Sequence, residues 1–160
     1  MNRLEGRIAA IQSNGHLSLL DVAIGADTFT AILLETPESS PYLKVGAAVD
    51  LLFKETEVSL ARNLTGLISL RNRFGVTVAA IVRGEIMSEV TMDYKGKRVS
   101  SIITTRAVDR LGLAVGENVE ALVKANEMVV VQASSPASGL QAVDAAMRAR
   151  TPELQEAELQ

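Results

Sequence analysis

Along the first half of the chain apolar and polar residues alternate in short runs, at residues 7–11, 17–24, 28–34 and 48–53. The period is nearer two than 3.6, the spacing of a strand with one face turned to a core. The second half shows the same pattern at 76–82, 86–94, 98–103, 119–124 and 128–131. About five strands per half is the economical reading. Asn14-Gly15 and Lys95-Gly96 punctuate the runs as hairpin turns, where glycine can take positive φ. Residues 105–111 stand apart. Closed by Gly112 and preceded by Thr104 and Thr105, either of which can cap a first turn, they predict one short helix.

The two halves are copies. Asn2 recurs as Asn72, Ile8 as Val78, Ile11 as Ile81, Leu43 as Leu113, Val45 as Val115 and Gly46 as Gly116, always 70 positions on. Val49 and Val119, Leu52 and Leu122, and Lys54 and Lys124 continue the series, so no net insertion separates the two ends of the module. Five short strands and one small helix per copy predict an OB-like barrel, because closing the sheet removes its exposed edges. The expected fold class is all-β: two tandem five-stranded OB-like barrels with short helices and a C-terminal helical tail. The modules are expected over 1–64 and 65–133, joined near 55–68. Ser59-Leu60-Ala61-Arg62-Asn63 reads as connector, with Arg62 a minor candidate for anion contact. Beyond Gln132 the small and breaker residues Ala133-Ser134-Ser135-Pro136-Ala137-Ser138-Gly139 read as a linker. In the remaining tail, within 134–160, Leu140, Val143 and Met147 have the spacing of a short amphipathic helix that could dock on a barrel or a neighbouring subunit.

Composition narrows the function. The 160 residues carry no cysteine, which removes disulfides, thiolate metal sites and cysteine nucleophiles. The formal net charge of −3 argues against a basic face for nucleic acid or anionic membrane, so any anion must be caught locally. Tryptophan is absent and Phe and Tyr are few, which favours aliphatic packing and leaves little for stacking bases. The N-terminus has no apolar core of a signal peptide and no run is long enough to span a bilayer, so a soluble, cytoplasmic protein is expected. His16, the single histidine, follows a turn and has no second ligand type near it; it reads as a surface residue. Phosphate-loop, dinucleotide and serine-hydrolase motifs are missing and the carboxylates are scattered, so the chain is read as a non-enzyme.

Three stretches of the second copy offer an oxyanion what it needs: Ser69-Leu70-Arg71-Asn72, Thr104-Thr105-Arg106-Ala107 and Lys124-Ala125. Arginine and lysine bring charge, hydroxyls bring donors, and backbone N–H groups at a helix start or strand end bring oriented dipoles. These stretches, with Gly84, Leu111-Gly112-Leu113, Gly116 and Val119, resemble the molybdenum-pterin-binding (Mop) module of the Mop/TOBE, or molbindin, family. The resemblance runs from about Ser69 to Val131. Residues 2–58 resemble a more divergent module, so the whole chain is similar to tandem di-Mop proteins.

The resemblance implies an intracellular protein that binds molybdate or tungstate at interfaces between modules or subunits, for storage, buffering or homeostasis, with no cofactor. It implies a homo-oligomer, dimer or trimer, and carries Ser69, Arg71, Thr104, Lys124 and Ala125 over as oxyanion contacts, Ala125 through its backbone N–H. Departures are visible. Leu70 stands for the usual alanine and Ala107 for a frequent serine. The first copy lacks the Ser-x-Arg before Asn2, has Leu34 at the place of Thr104, and reads Lys54-Glu55 where the family has Lys-Ala. A carboxylate there repels a dianion, so the first copy is expected to be weak or structural, offering Lys54 alone. The alternative is a regulatory or accessory module that works with a separate molybdate transporter or transcription regulator.

Overall fold

The computed structural model describes residues 1–133. The sequence runs through β1 (Asn2–Asn14), β2 (Leu17–Ile24), β3 (Asp27–Leu33), β4 (Ala48–Phe53), β5 (Ser59–Ala61), β6 (Asn72–Arg83), β7 (Met87–Tyr94), β8 (Lys97–Thr104), α1 (Thr105–Leu111), β9 (Asn118–Val123) and β10 (Val129–Gln132). One-turn 3-10 helices, Glu55–Glu57 and Ala125–Glu127, follow β4 and β9. Two curled five-stranded sheets result, each an OB-like barrel, and the all-β expectation is met.

Strands β1 and β6 are longer than the hydrophobic runs that announced them. β1 pairs with β4 through Asn2 to Arg7 and with β2 through Arg7 to Asn14, with a bulge between Ile8 and Ala10. β6 does the same with β9 and β7, and its bulge falls between Val78 and Ala80. A strand that serves two neighbours along different stretches must bend, and the extra residue at the bulge supplies the bend. The early part of β1 escaped notice because Asn2 and Gly6 occupy alternate positions there in place of apolar residues. Gly6 is required by crowding: a Cβ would lie 2.7 Å from Val22 Cγ1 and 2.8 Å from the Ala23 carbonyl oxygen.

The strand order is β10-β4-β1-β2-β3 in one sheet and β5-β9-β6-β7-β8 in the other. Each sheet therefore takes its outermost short strand from the opposite half of the sequence. Ser59 pairs with Leu122 and Val129 with Leu52, pairings that are images of each other under the 70-residue offset. This corrects the reading of residues 59–63 as connector: Ser59–Ala61 is a strand. Its three residues are too few to show a period, and the pairing is with a strand some 60 residues away. Arg62 is likewise committed, donating to the Gly112 carbonyl and pairing with Glu117.

Two asparagines bolt the halves together. Asn2 donates to the Ser100 carbonyl (2.8 Å) and accepts from the Ser100 N–H (2.7 Å); Asn72 does the same with Thr30, at 2.9 and 2.7 Å. Each side-chain amide satisfies both the N–H and the C=O of one buried residue across the join. Phe29 and Phe53 of the first half meet Phe74 and Tyr94 of the second, with Phe74 ring centroids 5.2 Å from Phe29 and 5.1 Å from Tyr94. One continuous hydrophobic core spans both barrels.

The expected helix is present at Thr105–Leu111, capped by Thr104, whose Oγ1 accepts from the Ala107 N–H at 3.1 Å. Lys95-Gly96 turns with both φ values positive (49° and 81°), as a hairpin of that type needs. Gly15 does not take positive φ; there the Asn14 side chain accepts from the Leu17 N–H and holds the turn. The tail expected to carry an amphipathic helix lies outside the described residues.

Candidate functional site

The register of β6 and β9 sets the geometry of the site. Their last pair is Asn72 with Val123, so Arg71 immediately precedes it and Lys124 immediately follows it. Ser69, Arg71 and Lys124 are exposed, and Ala125 is buried at the start of the 3-10 turn. These four residues come to one end of one sheet because an antiparallel pair places the entry of one strand beside the exit of the other. Thr104 pairs with Met87 at the opposite end of the same sheet, beside the β6–β7 turn. The fold thus brings together Ser69, Arg71, Lys124 and Ala125, and sets Thr104 apart from them within one module.

Five of the described cations, Arg3, Arg62, Arg73, Arg83 and Lys95, are committed to carboxylates. Among the described residues neither Arg71 nor Lys124 makes one, so both retain charge to offer a ligand. The hydroxyl of Thr104 accepts from Ala107 as a cap, and its own proton is left to donate. Lys54, the equivalent of Lys124, is half-buried at the matching turn of the first half, which packs against β8 as the Lys124 turn packs against β3. Glu55 beside it forms an ion pair with the Met1 ammonium, which offsets the repulsion its sequence position suggested.

The two turns also bring Glu57 and Glu127, another pair 70 apart, into hydrogen-bond contact. Burial pushes the Glu57 carboxyl up to about 7, helped by the hydrogen bond and charge of Glu127. Sequence reading missed this pair because nothing in an isolated Lys-Glu-Thr-Glu segment shows that it faces its own copy. A folded-state pKa above the unfolded one means that the folded protein holds the extra proton. The stabilisation is fully present below about pH 4.5 and is lost as pH rises through about 7. Denaturant midpoints at pH 5 and pH 8 should therefore differ in favour of pH 5. Glu57→Gln should flatten that slope by on the order of 1 kcal/mol, after allowance for solvent screening of a partly exposed group.

Residues 68–130 match the TOBE domain. The chain is 38% identical over 123 residues to the molybdenum import ATP-binding protein ModC of Brucella abortus, covering 76% of this chain and 32% of that one. It is 31% identical over 125 residues to the molybdenum-pterin-binding protein MopA of Rhodobacter capsulatus, covering 77% and 46%. The chain thus spans a third to a half of the curated relatives it matches. Among solved structures, the cytoplasmic molybdate-binding protein ModG with molybdate bound superimposes with a TM-score of 0.77 at 28% identity, covering 82% of this chain and 96% of that one. Residues 68–130 thus match the TOBE domain, and the chain is similar to Mop-type and ModG-type molybdenum proteins.

Proposed function

We propose that this chain is a non-enzymatic molybdate-binding protein, a tandem of a divergent module over 1–64 and a second module over 65–133, that holds the anion for storage, buffering or homeostasis in the cytoplasm. The observation that carries the proposal is the pair of uncommitted cations, Arg71 and Lys124, flanking the last pair of β6 and β9 inside the TOBE domain. A tetrahedral dianion at that edge takes charge from both, a hydroxyl from Ser69 and the Ala125 N–H. Thr104 lies at the far end of its own sheet, so it completes a site only with the Arg71 end of another module. That arrangement calls for homo-oligomers, dimers or trimers, and gives sites at interfaces. Lys54 is the corresponding cation of the first half. Tungstate, of the same charge and shape, is expected to compete.

Titration of the protein with molybdate in excess sulfate tests the proposal. Tight, sulfate-resistant binding with a fractional stoichiometry per chain is the expected result; no heat and no competition by tungstate would overturn it. Lys124→Ala is expected to weaken binding by about 10- to 150-fold, the worth of one hydrogen bond to a charged group. An unchanged affinity in this variant, with an unchanged circular dichroism spectrum, removes Lys124 from the site.

A second reading, an accessory or regulatory module for a separate molybdate transporter or transcription regulator, is favoured by the match to a third of ModC. Molybdate-dependent co-purification with such a protein would select it. Among the described residues no helix is long and apolar enough to cross a membrane.

A further inference from the structure

The first barrel holds a cleft of about 390 Å³ whose charged lining is Arg3, Glu5 and Arg7 of β1 and Asp50 of β4. Val49 and Leu51 enter the core, so Asp50 between them points to the other side of β4, into this cleft. Its side chain is 5% exposed, and Arg3 Nη2 reaches Oδ2 at 2.8 Å. Oδ1 is buried and has no hydrogen-bond partner among the described residues. A buried carboxylate oxygen without a donor marks a place where a donor arrives. Register sets Glu5 directly opposite Asp50, and Arg7 opposite Ala48 one step along the same face. Two carboxylates facing each other across a strand pair repel, and Glu5 makes no ion pair among the described residues. Arg7 is held in place by its Nη1, which donates to the Gly46 carbonyl at 3.0 Å and leaves the rest of the guanidinium to donate elsewhere.

The repeat separates what a barrel needs here from what it does not. Arg73 and Glu120 stand at the places of Arg3 and Asp50, and the longer glutamate takes two bonds from Arg73, Nε to Oε2 at 2.9 Å and Nη2 to Oε1 at 3.1 Å. The chain leaving β5 comes down on this pair, and the Leu64 and Gly66 carbonyls accept from Arg73 at 3.4 and 3.5 Å. Gly75 and Thr77 stand at the places of Glu5 and Arg7. The second barrel therefore folds with a fully bonded acid and with neither of the two further charges. The first barrel carries a shorter acid that leaves one oxygen free, with a second carboxylate and a second guanidinium set around it.

Two guanidiniums and two carboxylates give the cleft no net charge, so neither a simple cation nor a simple anion matches it. An ammonium between Glu5 and Asp50 relieves their repulsion and gives Oδ1 its donor, in a charge-assisted bond. A carboxylate two residues along the strand, about 7 Å away at the rise of β structure, meets Arg7. We propose that this cleft binds a small zwitterion of the ω-amino acid class, its primary ammonium on Asp50 Oδ1 and Glu5 and its carboxylate on Arg7. The site shares no residue with the oxyanion site at Arg71 and Lys124 and stands independently of it.

Titration of the full chain with 4-aminobutyrate, followed by amide chemical shifts, tests the proposal. Saturable shifts centred on residues 3–7 and 48–50 are expected, with butylammonium and butyrate each binding at least about tenfold more weakly for want of one charged hydrogen bond. Glu5→Gln, at an exposed position whose counterpart is Gly75, should weaken binding by about 10- to 150-fold, and Arg7→Gln by a similar factor. Thr77→Ala, at the place of Arg7 in the second barrel, should leave it unchanged. No saturable shift, shifts spread over both barrels, equal binding of butylammonium, or an unchanged affinity in Glu5→Gln overturns the proposal.

Discussion

Phe74→Ala is expected to lower the stability of the entire chain by about 3–5 kcal/mol, the usual cost of emptying a buried aromatic site, in one cooperative transition. The ring is 4% exposed and touches Phe29 and Phe53 from the first half as well as Tyr94 from its own. All three phenylalanines of the chain sit in this cluster. The cavity would therefore open at the join, with walls from both barrels, and neither barrel could collapse around it alone. Denaturant unfolding followed by circular dichroism and by tyrosine fluorescence should give coincident curves in the variant, both displaced to lower denaturant. Two separated transitions would mean that the barrels are independent bodies that merely touch.

Asn72→Ala is expected to cost about 2–4 kcal/mol, because it strands two buried backbone groups of Thr30 at about 1–3 kcal/mol each before relaxation. Asn2→Ala should cost a comparable amount through Ser100, and the double variant close to the sum, as the two bolts share no partner. Amide exchange supplies the specific readout: the Thr30 N–H should lose protection in Asn72→Ala and keep it in Asn2→Ala. A loss no larger than that of an ordinary surface substitution, about 0.5 kcal/mol, would show that water replaces the amide without penalty.

Much of the fold is written in the chain because it is written twice. Leu43-x-Val45-Gly46-x-x-Val49 and its copy fix the duplication, and alternation in β2 and β7 fixes their inward faces. The exchange of β5 and β10 could not be read, since three and four residues show no period and their partners are distant in sequence. Asn2 and Asn72 were visible as a repeat, but their role was not. They bind backbone groups of Thr30 and Ser100, and a backbone contact leaves no constraint on side-chain type for a sequence to display. The candidate site was legible in its parts. Register places Arg71 beside Lys124 once β6 and β9 are known to pair. The spacing along the chain could not show that Thr104 ends up at the other end of the sheet.

The exchange of outer strands also bears on how the protein comes off the ribosome. When residues 1–64 have emerged, β4 has β1 on one side and nothing on the other, because β10 is still more than sixty residues from being made. The short strand β5 that follows β4 belongs to the sheet not yet synthesised. A nascent first half consequently presents a bare sheet edge until β10 is made, the condition under which strands recruit wrong partners. The second sheet has all five of its strands once β9 is made, whereas the first still waits for β10, so the half synthesised first is the last to be completed.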